Sequence, residues 1–157
     1  MFRGSQTSKI DQKGRLVIPS LHRDQLLVSG RQGSKEMPKL VLTGHPAKYL
    51  MLLPAESYLK REKQITAQQT ENSQDLYARS VFVGFANYGI GLDKLGRIHI
   101  SQSLRDHAKL PAQGEVLVMG MHDHLQLWNE KSWHKLSGEA AGSISDSNWA
   151  GAWQVLS

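Results

Sequence analysis

The 157-residue chain contains no cysteine, which rules out a disulfide framework and a thiolate metal site. It has no long apolar run either. The longest, YLMLLPA from Tyr49, falls far short of the roughly 20 residues that a membrane-spanning helix needs. The opening MFRGSQTSK lacks the charged-then-apolar pattern of a secretory signal, so the expectation is an unexported, cytoplasmic protein with no membrane partner. Enzyme signatures are equally scarce. In GFANYGIG, residues 84–91, no Lys-Ser/Thr follows the glycines and no strand-then-helix pattern surrounds them, so they read as a turn and not as a phosphate-binding loop. There is no Gly-x-Ser-x-Gly, and Ser, His and Asp are too common here to single out a triad. His122 and His124 with Asp123 could ligate a metal, but three polar residues at a predicted hairpin turn, with no further ligand identifiable, read as turn residues. The expectation is a protein that is not an enzyme, with no metal, no cofactor and no small-molecule substrate.

What the chain does contain is an internal duplication. IDQKGRLVIPSLHRDQL, residues 10–26, is answered by LDKLGRIHISQSLRDHAKL, residues 92–110. A shift of 82 positions superposes Asp11 on Asp93, Gly14 on Gly96, Arg15 on Arg97, Ile18 on Ile100, Arg23 on Arg105 and Asp24 on Asp106. Downstream the match resumes at an offset of about 75, where VLTG and YLMLLPAESYLK answer LVMG and HLQLWNEKSWHK. The changed offset locates an insertion in the first copy, around residues 29–39.

Each copy opens on an Asp-x-x-Gly turn followed by Arg and alternating apolar positions, Leu16 and Ile18 or Ile98 and Ile100. Asp accepts hydrogen bonds from the next backbone N–H groups, and Gly supplies the positive φ of a bulged hairpin turn, so Asp11 with Gly14 and Asp93 with Gly96 orient the tips. A short helix follows each, then a second hairpin: residues 40–43 with 49–53, and 116–119 with 125–128. Helical spacing covers PAESYLKREKQITAQQ, NEKSWHKL and the linker NSQDLYARSVFVGFA, which presents Leu76 and Val83 on one side and Arg79 and Ser80 on another. The expected organisation is a first repeat with linker helices at 1–84, a second repeat at 85–136 and a loosely ordered tail at 137–157, in which Trp149 and Trp153 could dock as one helical turn. One copy is too small to bury a good core. The expected fold is therefore α+β, with two hairpin units related by a pseudo-two-fold axis around one shared core.

Charge is unevenly divided: residues 1–85 carry 13 Lys/Arg against 7 Asp/Glu, and residues 86–157 carry 6 against 7. Within residues 1–23, Arg3, Lys9, Lys13, Arg15 and Arg23 face a single acid, Asp11. Such a cluster is either a solvated basic face or a phosphate-facing patch. The Arg at each tip is the sharper candidate, because a planar guanidinium suits phosphate oxygens and the paired acceptors of guanine in the major groove, which a two-stranded β-ribbon fits. Arg15 and Arg97 could equally lock their own hairpins by pairing with Asp11 and Asp93, and the two roles are compatible.

MFRG, then D-x-K-G-R-L-x-I-P-x-x-x-R at residues 11–23, L-D-x-x-G-R-I-x-I…L-R at residues 92–105, and L-x-L-W ending at Trp128 with a further Trp133, resemble the MraZ proteins of bacteria. The resemblance runs in order from Met1 to Leu136 and includes both copies. It implies swapped-hairpin domains of the AbrB/SpoVT type assembled into a ring-shaped homo-oligomer. It also implies a nucleoid-associated transcriptional regulator, a repressor, that binds double-stranded promoter DNA of the division and cell-wall gene cluster containing its own gene. In that family the Asp-x-x-x-Arg pairs belong to the DNA-binding surface, and they carry over as Asp11 with Arg15 and Asp93 with Arg97. Arg3, Lys9 and Lys13 would then neutralise phosphates while Arg15 and Arg97 read base edges. The rival reading is a structural ring that scaffolds other proteins. This chain departs from the family pattern at His22, where an aromatic or aliphatic residue is usual, at Ser101 in the position of Pro19, and in the longer stretch at 29–39.

Overall fold

The computed structural model describes residues 1–29 and 40–142; residues 30–39, most of the expected insertion, and 143–157, with Trp149 and Trp153, lie outside the described residues. The first copy supplies β1 (Ser5–Lys9), β2 (Arg15–Val17), α1 (Ser20–Ser29), β3 (Leu40–His45), β4 (Tyr49–Pro54), α2 (Ala55–Ala67) and the linker helix α3 (Ser73–Gly84). The second supplies β5 (Asn87–Ile90), β6 (Arg97–His99), α4 (Gln102–His107), β7 (Glu115–Gly120), β8 (Leu125–Asn129) and α5 (Glu130–Gly142).

The strands form an antiparallel six-stranded sheet in the order β1-β7-β8-β4-β3-β5 and a separate two-stranded ribbon of β2 with β6. Both sheets are symmetric about the junction of the copies. Each copy's first strand leaves its own copy and lies on the other's third strand: β1 pairs with β7, and β5 pairs with β3. The ribbon takes one strand from each copy, with Arg15 opposite His99, Leu16 opposite Ile98 and Val17 opposite Arg97. The two Asp-x-x-Gly segments are hairpin tips only at their ends. Asp11 N–H donates to Arg15 O and Asp93 N–H to Arg97 O; in the first copy Ile10 also bridges Leu16 and Ser8 Oγ donates to Val17 O, and apart from these contacts the strands find their partners in the other copy.

Period-two side-chain alternation explains why β3 and β4 are buried along almost their whole length. Leu40, Leu42, Leu50 and Leu52 point to one face, where Leu16, Ile18, Ile98, Ile100, Leu104, Val116, Val118, Leu125 and Leu127 join them. Val41, Met51 and Leu53 point to the other, against Tyr58 of α2, Phe82 of α3 and Trp128 of β8. One core is thus shared by both copies, and a second lies under the linker helices. α3 is capped by Asn72, whose side chain accepts from the backbone N–H groups of Gln74 and Asp75.

Two expectations change. Residues 87–90, read as a turn, form strand β5; Gly89 sits at φ +71, and the register against β3 shifts between Leu40 and Val41, so glycine here relieves an irregular edge strand. α5 continues six residues past the expected boundary at Leu136, so residues 137–142 are helix. On α3 the buried residues are Val81 and Phe82, while Leu76 is exposed.

Breaking the symmetry, His22 on α1 is 0 % exposed, and neither ring nitrogen has a hydrogen-bond partner. Its duplicate is Leu104, also buried. Burial pushes the His22 pKa below its ordinary value. On acidification through about pH 6.5 the unfolded chain takes up a proton that the folded chain refuses, so this stability is intact above that pH and is lost progressively below it. His22→Leu should stabilise the fold by about 1–3 kcal/mol, because a core of this kind gains by losing an unsatisfied polar group. It should also flatten the acid limb. Denaturation midpoints measured above and below neutrality check both effects, and an unchanged acid limb would clear His22 of this role.

Candidate nucleic-acid interface

At each tip a carboxylate gathers its own turn. Asp11 Oδ1 accepts from the backbone N–H groups of Lys13 and Arg15, each at 2.9 Å, while Oδ2 accepts from Arg15 Nε at 2.7 Å. Asp93 repeats the pattern with Leu95 N, Arg97 N and Arg97 Nε at 2.9, 2.9 and 2.8 Å. Backbone bonds, foremost that from the arginine's own N–H, and then the guanidinium hold both carboxyls below their ordinary pKa. Each arginine is bonded through Nε, so neither Nη group is used in the hydrogen bond to its own aspartate.

The tips do not act separately. Arg97 Nη1 lies 4.0 Å from Asp11 Oδ2, so the first copy's acid is in reach of both guanidinium groups. Gly14 O accepts from Ile100 N–H and Gly96 O from Ile18 N–H, tying each turn to the other copy's ribbon strand. Both glycines have positive φ, +79 and +73. A Cβ on Gly96 would stand 2.5 Å from Arg23 Cδ, and one on Gly14 would stand 3.0 Å from Arg105 Nε. Arg23 and Arg105 are therefore cross-braces, each lying over the other copy's tip; Arg105 Nε also donates to Ile100 O.

Of the cations expected at the site, Lys13 is exposed on the first tip, and Lys9 ends β1 close to it, across from Glu115 of β7. Arg3 is not brought to the tips. It precedes the far end of β1, about 20 Å of extended chain from Lys9, near the bridge of Phe2 with His122. Two features escaped the reading of tip motifs. His99 is exposed and faces Arg15 directly across the ribbon, a position that alternation from Arg97 through buried Ile98 assigns to it. Arg23 and Arg105 were visible as duplicated residues, but their crossing to the opposite tip was not.

His122, Asp123 and His124 belong to a different arrangement. Arg61 of α2 grips Asp123 twice, Nη1 to Oδ2 at 2.7 Å and Nη2 to Oδ1 at 3.0 Å, and His124 Nδ1 lies 2.7 Å from Oδ1. Against a burial penalty that raises it, the Arg61 guanidinium and the His124 ring hold the Asp123 pKa down to about 2. Among the described residues no group of three or more His, Cys, Asp or Glu side chains is arranged to hold a metal ion. None of the described helices is long and apolar enough to cross a membrane.

A shared core, swapped edge strands and a ribbon built from both copies define a duplicated swapped-hairpin protein that displays paired, acid-anchored arginines at one end. The family model described as "MraZ protein, putative antitoxin-like" matches residues 1–80 and again 86–149. The chain is 34 % identical over 140 residues to the transcriptional regulator MraZ of Thiobacillus denitrificans, covering 89 % of this chain and 88 % of that one. It is 35 % identical over 145 residues to that of Dechloromonas aromatica, covering 92 % of each chain. It is 33 % identical over 147 residues to that of a Nocardioides species, again covering 92 % of each. The chain belongs to the MraZ family, and with it to the transcriptional regulators and not the enzymes.

Proposed function

We propose that the chain is a sequence-specific DNA-binding repressor that acts in the cytoplasm, at the nucleoid, on the promoter of the division and cell-wall gene cluster containing its own gene. The observation that carries the reading is the meeting of Arg15 and Arg97 on the solvent face of a two-stranded ribbon, each held at Nε by its own aspartate. A ribbon of that width fits the major groove, and a guanidinium fork matches the O6 and N7 acceptors of guanine. Lys13 and Lys9 neutralise the flanking phosphates, and Arg3 is left a phosphate farther along the duplex.

One pair of tips touches only a few base pairs, too little discrimination against a genome of competing sites. A ring of identical subunits answers this by making later contacts intramolecular, so the operator is expected to be short direct repeats about 10 bp apart. The test is a titration against promoter duplexes with altered spacing. Inserting about half a helical turn between repeats should drop affinity toward that of a single repeat, and about a full turn should be partly tolerated. Affinity indifferent to sequence, repeat number and phase would favour the scaffolding ring instead.

A further inference from the structure

The two halves of the ribbon are alike in backbone and unlike in chemistry. Both turns use the same aspartate bonds, so Lys13 and Leu95 occupy equivalent places two residues before their arginines. The duplication also makes Val17 and His99 equivalents, and the register sets each across from the other copy's arginine. Arg15 is thus flanked by Lys13 on its turn and His99 across the strand. Arg97 is flanked by Leu95 and Val17, and the lysine of its turn, the exposed Lys94, stands one position earlier than Lys13 does in the first. Leu95 is 64 % exposed and Val17 37 % exposed. A single exposed aliphatic side chain needs no explanation. Two of them on either side of one arginine, where the sister arginine has Lys and His, are a surface with a sense.

Resting on the DNA reading proposed above, we infer that the two tips read different bases: the Arg97 tip recognises a guanine with a neighbouring thymine, whose C5-methyl group packs against Leu95 and Val17. The Arg15 tip, framed by Lys13 and His99, meets a guanine bordered by phosphates. The chemistry is that of the major groove, where the thymine methyl is the one apolar feature displayed by a base pair and is read by apolar contact. The second tip keeps an exposed lysine one position earlier, Lys94, so the aliphatic residue at the place of Lys13 leaves that tip a cation and gains the power to tell thymine from cytosine. The asymmetry also gives each subunit a direction on the duplex, which a pair of equal tips would lack and which direct repeats require.

Replacing thymine by deoxyuridine removes only that methyl group. The probe is the tightest-binding duplex recovered from a random-sequence pool, remade with each thymine in turn replaced by deoxyuridine. The unaltered protein should lose about fourfold in affinity for each contacted methyl removed in a repeat. Leu95→Ala and Val17→Ala should each show a smaller penalty than the unaltered protein, Leu95→Ala the smaller of the two. Lys13→Ala should weaken binding to every duplex yet keep the full penalty. Both aliphatic residues are exposed, so melting curves should be unchanged. The inference is overturned if deoxyuridine is tolerated at every position, if Leu95→Ala keeps the full penalty, or if Leu95→Ala changes the mass of the assembly, which would make Leu95 a contact between subunits. A pool that yields no preferred duplex sinks the DNA-reading proposal and this inference together, whereas indifference to the methyl group on a selected duplex sinks this inference alone.

Discussion

Replacing Arg15 by alanine is expected to abolish specific DNA binding while leaving the melting curve where it was, and Arg97→Ala is expected to do the same. The guanidinium groups are part-exposed, and their pairs with Asp11 and Asp93 are surface ion pairs, which contribute little to stability. The fold rests instead on the buried neighbours Leu16 and Ile98, which these substitutions do not touch. A bidentate base contact is worth about 1–3 kcal/mol of discrimination, and a ring loses it in every subunit at once. Arg15→Lys separates base reading from charge. Lysine keeps the cation but has no fork to match two acceptors, so it should restore some non-specific affinity and none of the sequence preference. Lys9→Ala should weaken all DNA modestly and reduce the salt dependence, because it removes a phosphate contact alone. Protection of a specific site by Arg15→Ala protein would remove the tips from the DNA interface. Since the bonds from its own turn hold Asp11 ionised, this contrast should persist through mildly acidic buffers.

The parts of this molecule that could be read from its sequence are those written locally. Asp-x-x-Gly followed by Arg encodes a turn, its acceptor and its outward cation within five residues, and the repeat of that pattern encodes the pseudo-symmetry. Short apolar runs bounded by turn residues were sufficient for β3, β4, β7 and β8. What could not be read is pairing over distance. Nothing in residues 5–9 says that they lie on residues 115–119 and not on their own hairpin. β5 was hidden because Gly89 and Gly91 mark a turn by composition, while the edge of β3 supplies the strand partner that composition cannot show. The Arg61 grip on Asp123 joins residues 62 positions apart, and a polar triplet at a turn looks the same in sequence whether it binds a metal or a neighbouring helix. His99 was legible in principle. It required counting two residues from Arg97 along a strand, instead of stopping at the motif.

Cut between residues 84 and 85, the chain should lose its fold entirely, and neither half should melt cooperatively. In residues 1–84, β1 would have no β7, β2 no β6, β3 no β5 and β4 no β8, leaving four strands with open backbone edges. The shared core would be divided as well, with Leu16, Ile18, Leu42 and Leu50 on one side of the cut and Ile98, Ile100, Val116 and Leu127 on the other. Each fully buried aliphatic side chain is worth roughly 1.5–3 kcal/mol, so losing half of such a cluster exceeds the 5–15 kcal/mol that holds a typical domain folded. The separate halves should aggregate or stay unfolded, and mixing them during refolding should restore both the circular dichroism signal and DNA binding. Complementation then makes a sharper test. Because the ribbon takes one strand from each copy, a half carrying Arg15→Ala mixed with an intact second half should refold fully and still fail to select DNA. A cooperative melt from either half alone would mean that the copies are independent beads, and that the crossing of β1 to β7 and β5 to β3 is not what holds the two tips together.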